Sequence, residues 1–127
     1  MNSRTKGKEG ERELAKVLRS YGHDARRGVQ YSGLKGDADV IGVDGIHIEC
    51  KRVETFRDEV ALKQAERDAR RGLIPAVFYR RNREEWKVTL RLKMFMVIWN
   101  ELTTEQKQNI YDKLKLSVKV DKIGKRT

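Results

Sequence analysis

Residues 38–53 constrain this chain more than any other stretch. Ala38-Asp-Val-Ile-Gly-Val43 and Ile46-His-Ile-Glu-Cys-Lys-Arg-Val53 both read as strands, and the Asp44-Gly45 between them signals a tight hairpin turn. The second segment alternates, with Ile46, Ile48 and Cys50 on one side and His47, Glu49 and Lys51 on the other. A face of Ile, Ile and Cys belongs on a core, so the polar face behind it is held rigidly. The turn brings the first segment alongside the second, which sets Asp39 within reach of Glu49.

Around this hairpin the pattern alternates between helix and strand. The first six residues are polar and read as loose. A helix is predicted over 7–21, with Leu14, Val17, Leu18 and Tyr21 at helical spacing and Gly22 as its stop. A short extended piece over 25–29 and a glycine-punctuated loop over 31–36 precede the hairpin. A helix over 58–71, closed by Gly72, follows it, with Val60, Ala61, Gln64, Ala65 and Asp68 near one side. Strands are expected over 75–80 and 86–92, separated by a polar turn over 81–85. Phe95, Ile98, Trp99 and Leu102 fall at helical offsets within 94–102, and Thr103 or Thr104 can cap a last helix running to about 116. Residues 119–127 read as a basic, frayed tail. This order describes a small mixed α/β domain. With no linker or repeat visible, residues 1–127 are expected to form one domain, with a core over about 6–92 and a helical extension over 93–127.

The charge narrows the partners. Lys and Arg number 29 against 19 Asp and Glu, a net charge of +10, which suits a polyanion, most commonly nucleic acid. No apolar run approaches the length of a membrane span, and the first residues do not resemble a secretory signal. The single cysteine, Cys50, allows neither an internal disulfide nor a multi-cysteine zinc site and fits a reducing, intracellular setting. Its place on the apolar strand face makes it a core residue.

In a basic protein, converging acids call for an explanation. Glu49 and Lys51 on their own could be a surface ion pair of little consequence. Add Asp39, and the carboxylates repel one another unless a cation joins them. An oxygen-rich cluster of this kind suits Mg2+, with Mn2+ able to substitute. A divalent ion held there would activate water and polarise a phosphate, while Lys51 positions the water and offsets charge in the transition state. Glu9, Glu11 and Glu13 lie on the first helix; for Glu9 and Glu13 a solvated face is the expectation.

Taken together, Lys6-Gly-Lys-Glu-Gly-Glu11-Arg-Glu-Leu, Tyr31-Ser-Gly, Gly36-Asp-Ala-Asp39-Val-Ile-Gly, Ile48-Glu49-Cys-Lys51-Arg and Lys63-Gln64-Ala-Glu resemble the PD-(D/E)XK nuclease superfamily. Within it they resemble the archaeal-type and phage-type Holliday junction resolvases. The resemblance covers about residues 6–80, with the motifs in the family's order. It implies a restriction-endonuclease-like core, a central mixed sheet of four or five strands flanked by helices. It also implies a magnesium-dependent endonuclease that cuts four-way DNA junctions as a homodimer. By the same resemblance the metal acids fall at Glu11, Asp39 and Glu49, and the catalytic lysine at Lys51. Gln64 matches a glutamine near the metal, and Ser32 a serine in a catalytic loop. The implied setting is cytoplasmic, including the host cytoplasm for a phage-encoded chain. Ala38 stands where the superfamily's name has proline, and nothing from residue 93 onward matches.

Several basic residues surround these acids and are expected to grip DNA phosphates: Lys6, Lys8, Arg12, Arg26, Arg27, Lys35 and Arg52, with Arg80, Arg81 and Arg83 as a second cluster at a turn. His47 shares the acid face and reads either as a contact to water or DNA or as a polar filler on a half-exposed surface. Phe78, Tyr79 and Trp86 fit packing better than base stacking. Phe95, Trp99 and Leu102 suit a helix buried in a core or in a dimer interface. The competing readings are a related nicking or repair nuclease, and a DNA-binding module that has lost the chemistry. The competent residues at Glu11, Asp39, Glu49 and Lys51 weigh against the last.

Overall fold

The structure, a computed structural model, describes residues 3–28 and 38–124. Two compact units divide the chain, residues 1–90 and 91–127.

The first unit is built on the hairpin. β1 (Arg26–Arg27), β2 (Val40–Ile41), β3 (Ile46–Arg52), β4 (Ile74–Arg80) and β5 (Lys87–Thr89) form a five-stranded sheet in the order β1-β2-β3-β4-β5. All pairings are antiparallel except β3 with β4, which run parallel over seven residue pairs from Ile46↔Ile74 to Arg52↔Arg80. A parallel pair needs a crossover, and the crossover here is α2 (Asp58–Asp68). The mixed sheet flanked by helices is the architecture expected from the sequence.

Helices cover both faces. α1 (Ser3–Ser20) packs Leu14 and Ala15 against Val40, Ile48, Ala76 and Phe78, with Leu18, Ile46 and Cys50 at the margin. α2 lays Ala61, Leu62 and Ala65 on Val77, with Phe56 beside them. β3 is therefore covered on both sides. Ile48 is buried towards α1, and His47 and Glu49, at 1% and 2% exposure, are buried on the opposite face. The half-exposed surface expected for His47 is a fully enclosed one.

The turn at the hairpin is longer than the expected two-residue connection. A two-residue loop at Asp44-Gly45 would set Val40 opposite Glu49, whereas the observed partner of Val40 is Ile48. Side chains alternate along a strand, so this one-residue difference decides which face Asp39 occupies. It places Val40 with Ile48 in the core and Asp39 on the face of Glu49. Gly45, at φ +83, holds the left-handed position of the longer turn, and Gly42, at φ +103, lies where a Cβ would collide with the Asp24 carbonyl, so only glycine fits there.

Other boundaries also differ from the expectation. α1 begins at Ser3, because nothing in Ser3-Arg-Thr-Lys6 breaks a helix, and Ala15 rather than Tyr21 takes the core position; Tyr21 is exposed. α2 ends at Asp68, with Ala69 already extended, and Gly72, at φ +91, serves the turn that follows. β5 is only three residues long.

The second unit contains α3 (Leu92–Glu101) and α4 (Thr104–Gly124). α4 continues to Gly124, beyond the end expected near residue 116 and through the start of the tail expected to fray. Thr103 and Gln106 form a reciprocal capping box: Thr103 Oγ1 accepts from the Gln106 N–H at 3.0 Å, and Gln106 Oε1 accepts from the Thr103 N–H at 2.8 Å. Phe95 stacks near Trp99, and Lys107 Nζ lies 5.3 Å from the centre of the Trp99 ring. Among the described residues no helix is long and apolar enough to cross a membrane.

Candidate active site

Asp39 stands just before β2 and is tied down on three sides. Its N–H donates to the Ile48 carbonyl (3.0 Å), its carbonyl accepts from the Gly28 N–H (2.9 Å), and its Oδ2 accepts from the Cys50 N–H (2.8 Å). The backbone of β3 thus orients the carboxylate that reaches across from β2.

Glu49 lies on β3 with Oε1 3.0 Å from His47 Nε2. Burial pushes its carboxyl above the ordinary range; the His47 hydrogen bond opposes that shift, and Asp39, near enough to share a hydrogen bond, adds to it. Glu11, on α1, behaves similarly. Burial raises its carboxyl first and the charge of Asp39 second, while Arg27, whose Nε donates to Glu11 Oε2 at 3.4 Å, pulls it back down. Asp39 is the shared neighbour of the other two acids.

Lys51, two residues beyond Glu49 and on the same face, points its Nζ at Gln64 Oε1 on α2, 3.3 Å away. The crossover helix therefore holds the lysine beside the acids. Cys50 faces the core as expected; burial and the nearby carboxylates keep its thiol protonated.

The donor chemistry fits a hard divalent cation. The repulsion that Asp39 exerts on Glu11 and Glu49 is relieved when a cation binds among them. Among the described residues, however, no three His, Cys, Asp or Glu groups are drawn around one point. Glu11 is turned to Arg27, and Glu49 Oε1 to His47. A divalent cation can be held by two carboxylates completed by water and phosphate oxygens, without an all-protein cage; Asp39 and Glu49 are the pair that could hold one, with Glu11 beside them.

The expected basic residues separate into groups. Arg27 lies against Glu11, and the charge of Lys8 is felt there too. Arg26 is exposed and pairs loosely with Asp24. Lys6 and Arg12 lie on α1, Lys6 half-buried and Arg12 exposed. Arg52 and Arg80 meet at Glu13, with Nε–O distances of 3.8 and 3.4 Å, and Trp86 Nε1 donates to the same carboxylate at 3.1 Å. Arg52 further donates to Asn82 Oδ1 and to the Arg80 carbonyl. Glu13, expected on a solvated face, is instead the hub joining α1 to β3, β4 and Trp86. Arg81 bonds the Glu54 carbonyl and pairs with Glu84, and Arg83 adopts φ +64 at the turn before β5. Ser32 and Lys35 lie outside the described residues.

Sequence reasoning underrated His47. The parallel pairing of β3 was the missing signal, because parallel strands are covered on both faces.

The family model described as "Phage putative PDDEXK endonuclease" matches residues 2–125. No curated protein matches the chain. Among solved structures, a Holliday junction resolvase from the archaeal hyperthermophile Archaeoglobus fulgidus is similar over 65% of this chain and 74% of that one, at 23% identity and a TM-score of 0.47.

Proposed function

This chain belongs to the phage PDDEXK endonuclease family, and from that premise we propose that it hydrolyses DNA phosphodiester bonds with Mg2+, selects branched DNA such as a four-way junction, and acts as a homodimer. The observation that carries the catalytic reading is the position of Asp39. It is fixed by the backbone of β3, is felt electrostatically by Glu11 and Glu49, and lies on the strand face that carries Lys51.

In this reading Asp39 and Glu49 hold the cation, with Glu11 close by. A divalent cation bound there supplies Lewis-acid polarisation of the phosphate and lowers the pKa of the attacking water. Lys51 places its ammonium where charge grows on the phosphate oxygens and orients the water by hydrogen bonding. Gln64 holds that ammonium so that it does not collapse onto a carboxylate. Burial of Glu49 excludes bulk water from one side of the site and strengthens each of these interactions. The basic surface, including Lys8 and Arg27 beside the acids, draws in and registers the DNA backbone. The branched substrate and the dimer are supported by the resolvase-type order of motifs, from Glu11-Arg12 to Gln64.

The test is a substrate panel: a four-way junction, a fork, an unnicked duplex and single strands, each with Mg2+ and with EDTA. Symmetric paired incision of the junction, lost in EDTA, is expected. Cutting of linear duplex in preference to the junction would reject the branched substrate. No cutting of any substrate with Mg2+ or Mn2+ would reject the endonuclease chemistry proposed here.

A further inference from the structure

His47 is the most enclosed polar side chain of the acid face, and none of the roles above uses it. Its side chain has 0% exposure and its Nε2 lies 3.0 Å from Glu49 Oε1, while its buried Nδ1 has no hydrogen-bond partner among the described residues. An orphaned ring nitrogen is a cost that a leucine of similar size would not incur. Among the described residues, the ring's polar contact is with Glu49.

At 3.0 Å from Oε1, Nε2 is the ring nitrogen placed to donate to the Glu49 carboxylate. His47 and Glu49 are two apart on β3 and paired in register with Pro75 and Val77 of β4, which keeps the two side chains parallel on one face. On its other side Glu49 meets Asp39.

We propose that His47 is a positioning residue for metal binding: its Nε2–H anchors one oxygen of Glu49 and leaves the carboxylate presented towards Asp39. This rests on the ligand role of Glu49 proposed above. Carboxylates that bind metals are commonly fixed by such outer hydrogen bonds, and losing one weakens affinity by about 10–100-fold.

The experiment is Mn2+ binding to the full chain, followed by calorimetry and by the Mn2+ electron paramagnetic resonance signal, for the wild type, His47→Gln, His47→Asn, His47→Leu and Glu49→Gln. The Gln amide reaches about where Nε2 lies, whereas the Asn amide reaches only the Nδ1 position. Expected is affinity within a few-fold of wild type for His47→Gln and a loss of about tenfold or more for His47→Asn and His47→Leu. Should His47→Leu fail to fold, the Gln and Asn pair still decides: equal affinities for those two overturn the proposal. Wild-type affinity in His47→Leu, with Glu49→Gln impaired, overturns the role of His47 and leaves that of Glu49 standing. Unimpaired binding by Glu49→Gln removes the ligand role itself, and the proposal with it.

Discussion

The backbone N–H of Cys50 donates to Oδ2 of Asp39 across 2.8 Å. This bond ties an acid on one strand to the strand bearing Glu49 and Lys51, so the fold sets the spacing of the site before any ligand arrives. It also separates two contributions of Asp39. The carboxylate accepts a structural hydrogen bond, and its charge strains Glu11 and Glu49. Asp39→Asn keeps an acceptor and removes the strain, so its stability should equal or exceed that of the wild type. Asp39→Ala leaves the Cys50 N–H without a partner and should be less stable than Asp39→Asn by about 1–3 kcal/mol in denaturant unfolding. Equal stabilities for the two variants would show that the bond contributes nothing.

The pH dependence follows from two raised carboxyls, Glu11 and Glu49. Each binds its proton more tightly in the folded chain than at its ordinary value of 4.5. The associated stability is therefore fully present below that value and is lost as pH rises through the raised folded values. In EDTA, the thermal midpoint of the wild type should fall with rising pH relative to that of a Glu11→Gln, Glu49→Gln double variant. Mg2+ should restore the midpoint mainly on the alkaline side, where the ligands are ionised. A Mg2+ effect of the same size at every pH would contradict this.

Part of the candidate site could be read from the sequence because its chemistry is local. Glu49 and Lys51 share a face through strand alternation, and the Asp44-Gly45 turn marks the segment with Asp39 as the neighbouring strand. The register could not be read, because Asp44-Gly45 signals a two-residue turn and the observed turn is one residue longer. The burial of His47 depends on β4 running parallel and on α2 returning over the sheet. The Glu13 hub depends on Arg80 and Trp86, both more than sixty residues away in the chain. Such long-range partners leave no periodic trace. The helix boundaries that shifted, at Ser3, Asp68 and Gly124, are positions where weak propensities on either side make the end a matter of packing.

Lys51 and Gln64 should behave as one unit. Lys51→Ala is expected to lower single-turnover cleavage by about 10²–10³-fold, as removal of one donor to a developing charge does elsewhere. Gln64→Ala should cost less, and the double variant should be no worse than Lys51→Ala alone. Fully multiplicative losses would mean that Gln64 acts independently of the lysine.

The arginines should divide by role. Arg52 is bonded to Asn82 and the Arg80 carbonyl and paired with Glu13. Arg52→Ala should therefore lower stability by about 1–3 kcal/mol. Arg26 is exposed, and Arg26→Ala should leave stability unchanged while reducing the salt slope of DNA binding by about 1. If Arg52→Ala is as stable as the wild type and shows the larger change in salt slope, Arg52 is a phosphate contact and the Glu13 hub is incidental.

In the mechanism proposed above, Asp39 and Glu49 together hold the cation that makes this chain an endonuclease. Single-turnover cleavage of a labelled four-way junction by saturating enzyme, with Mg2+ and with EDTA, measures it most directly when wild type, Asp39→Asn and Glu49→Gln are compared and junction affinity is measured in parallel. Mg2+-dependent cutting is expected of the wild type and none of either variant, with junction affinity largely retained. Wild-type cleavage rates in both variants would contradict it.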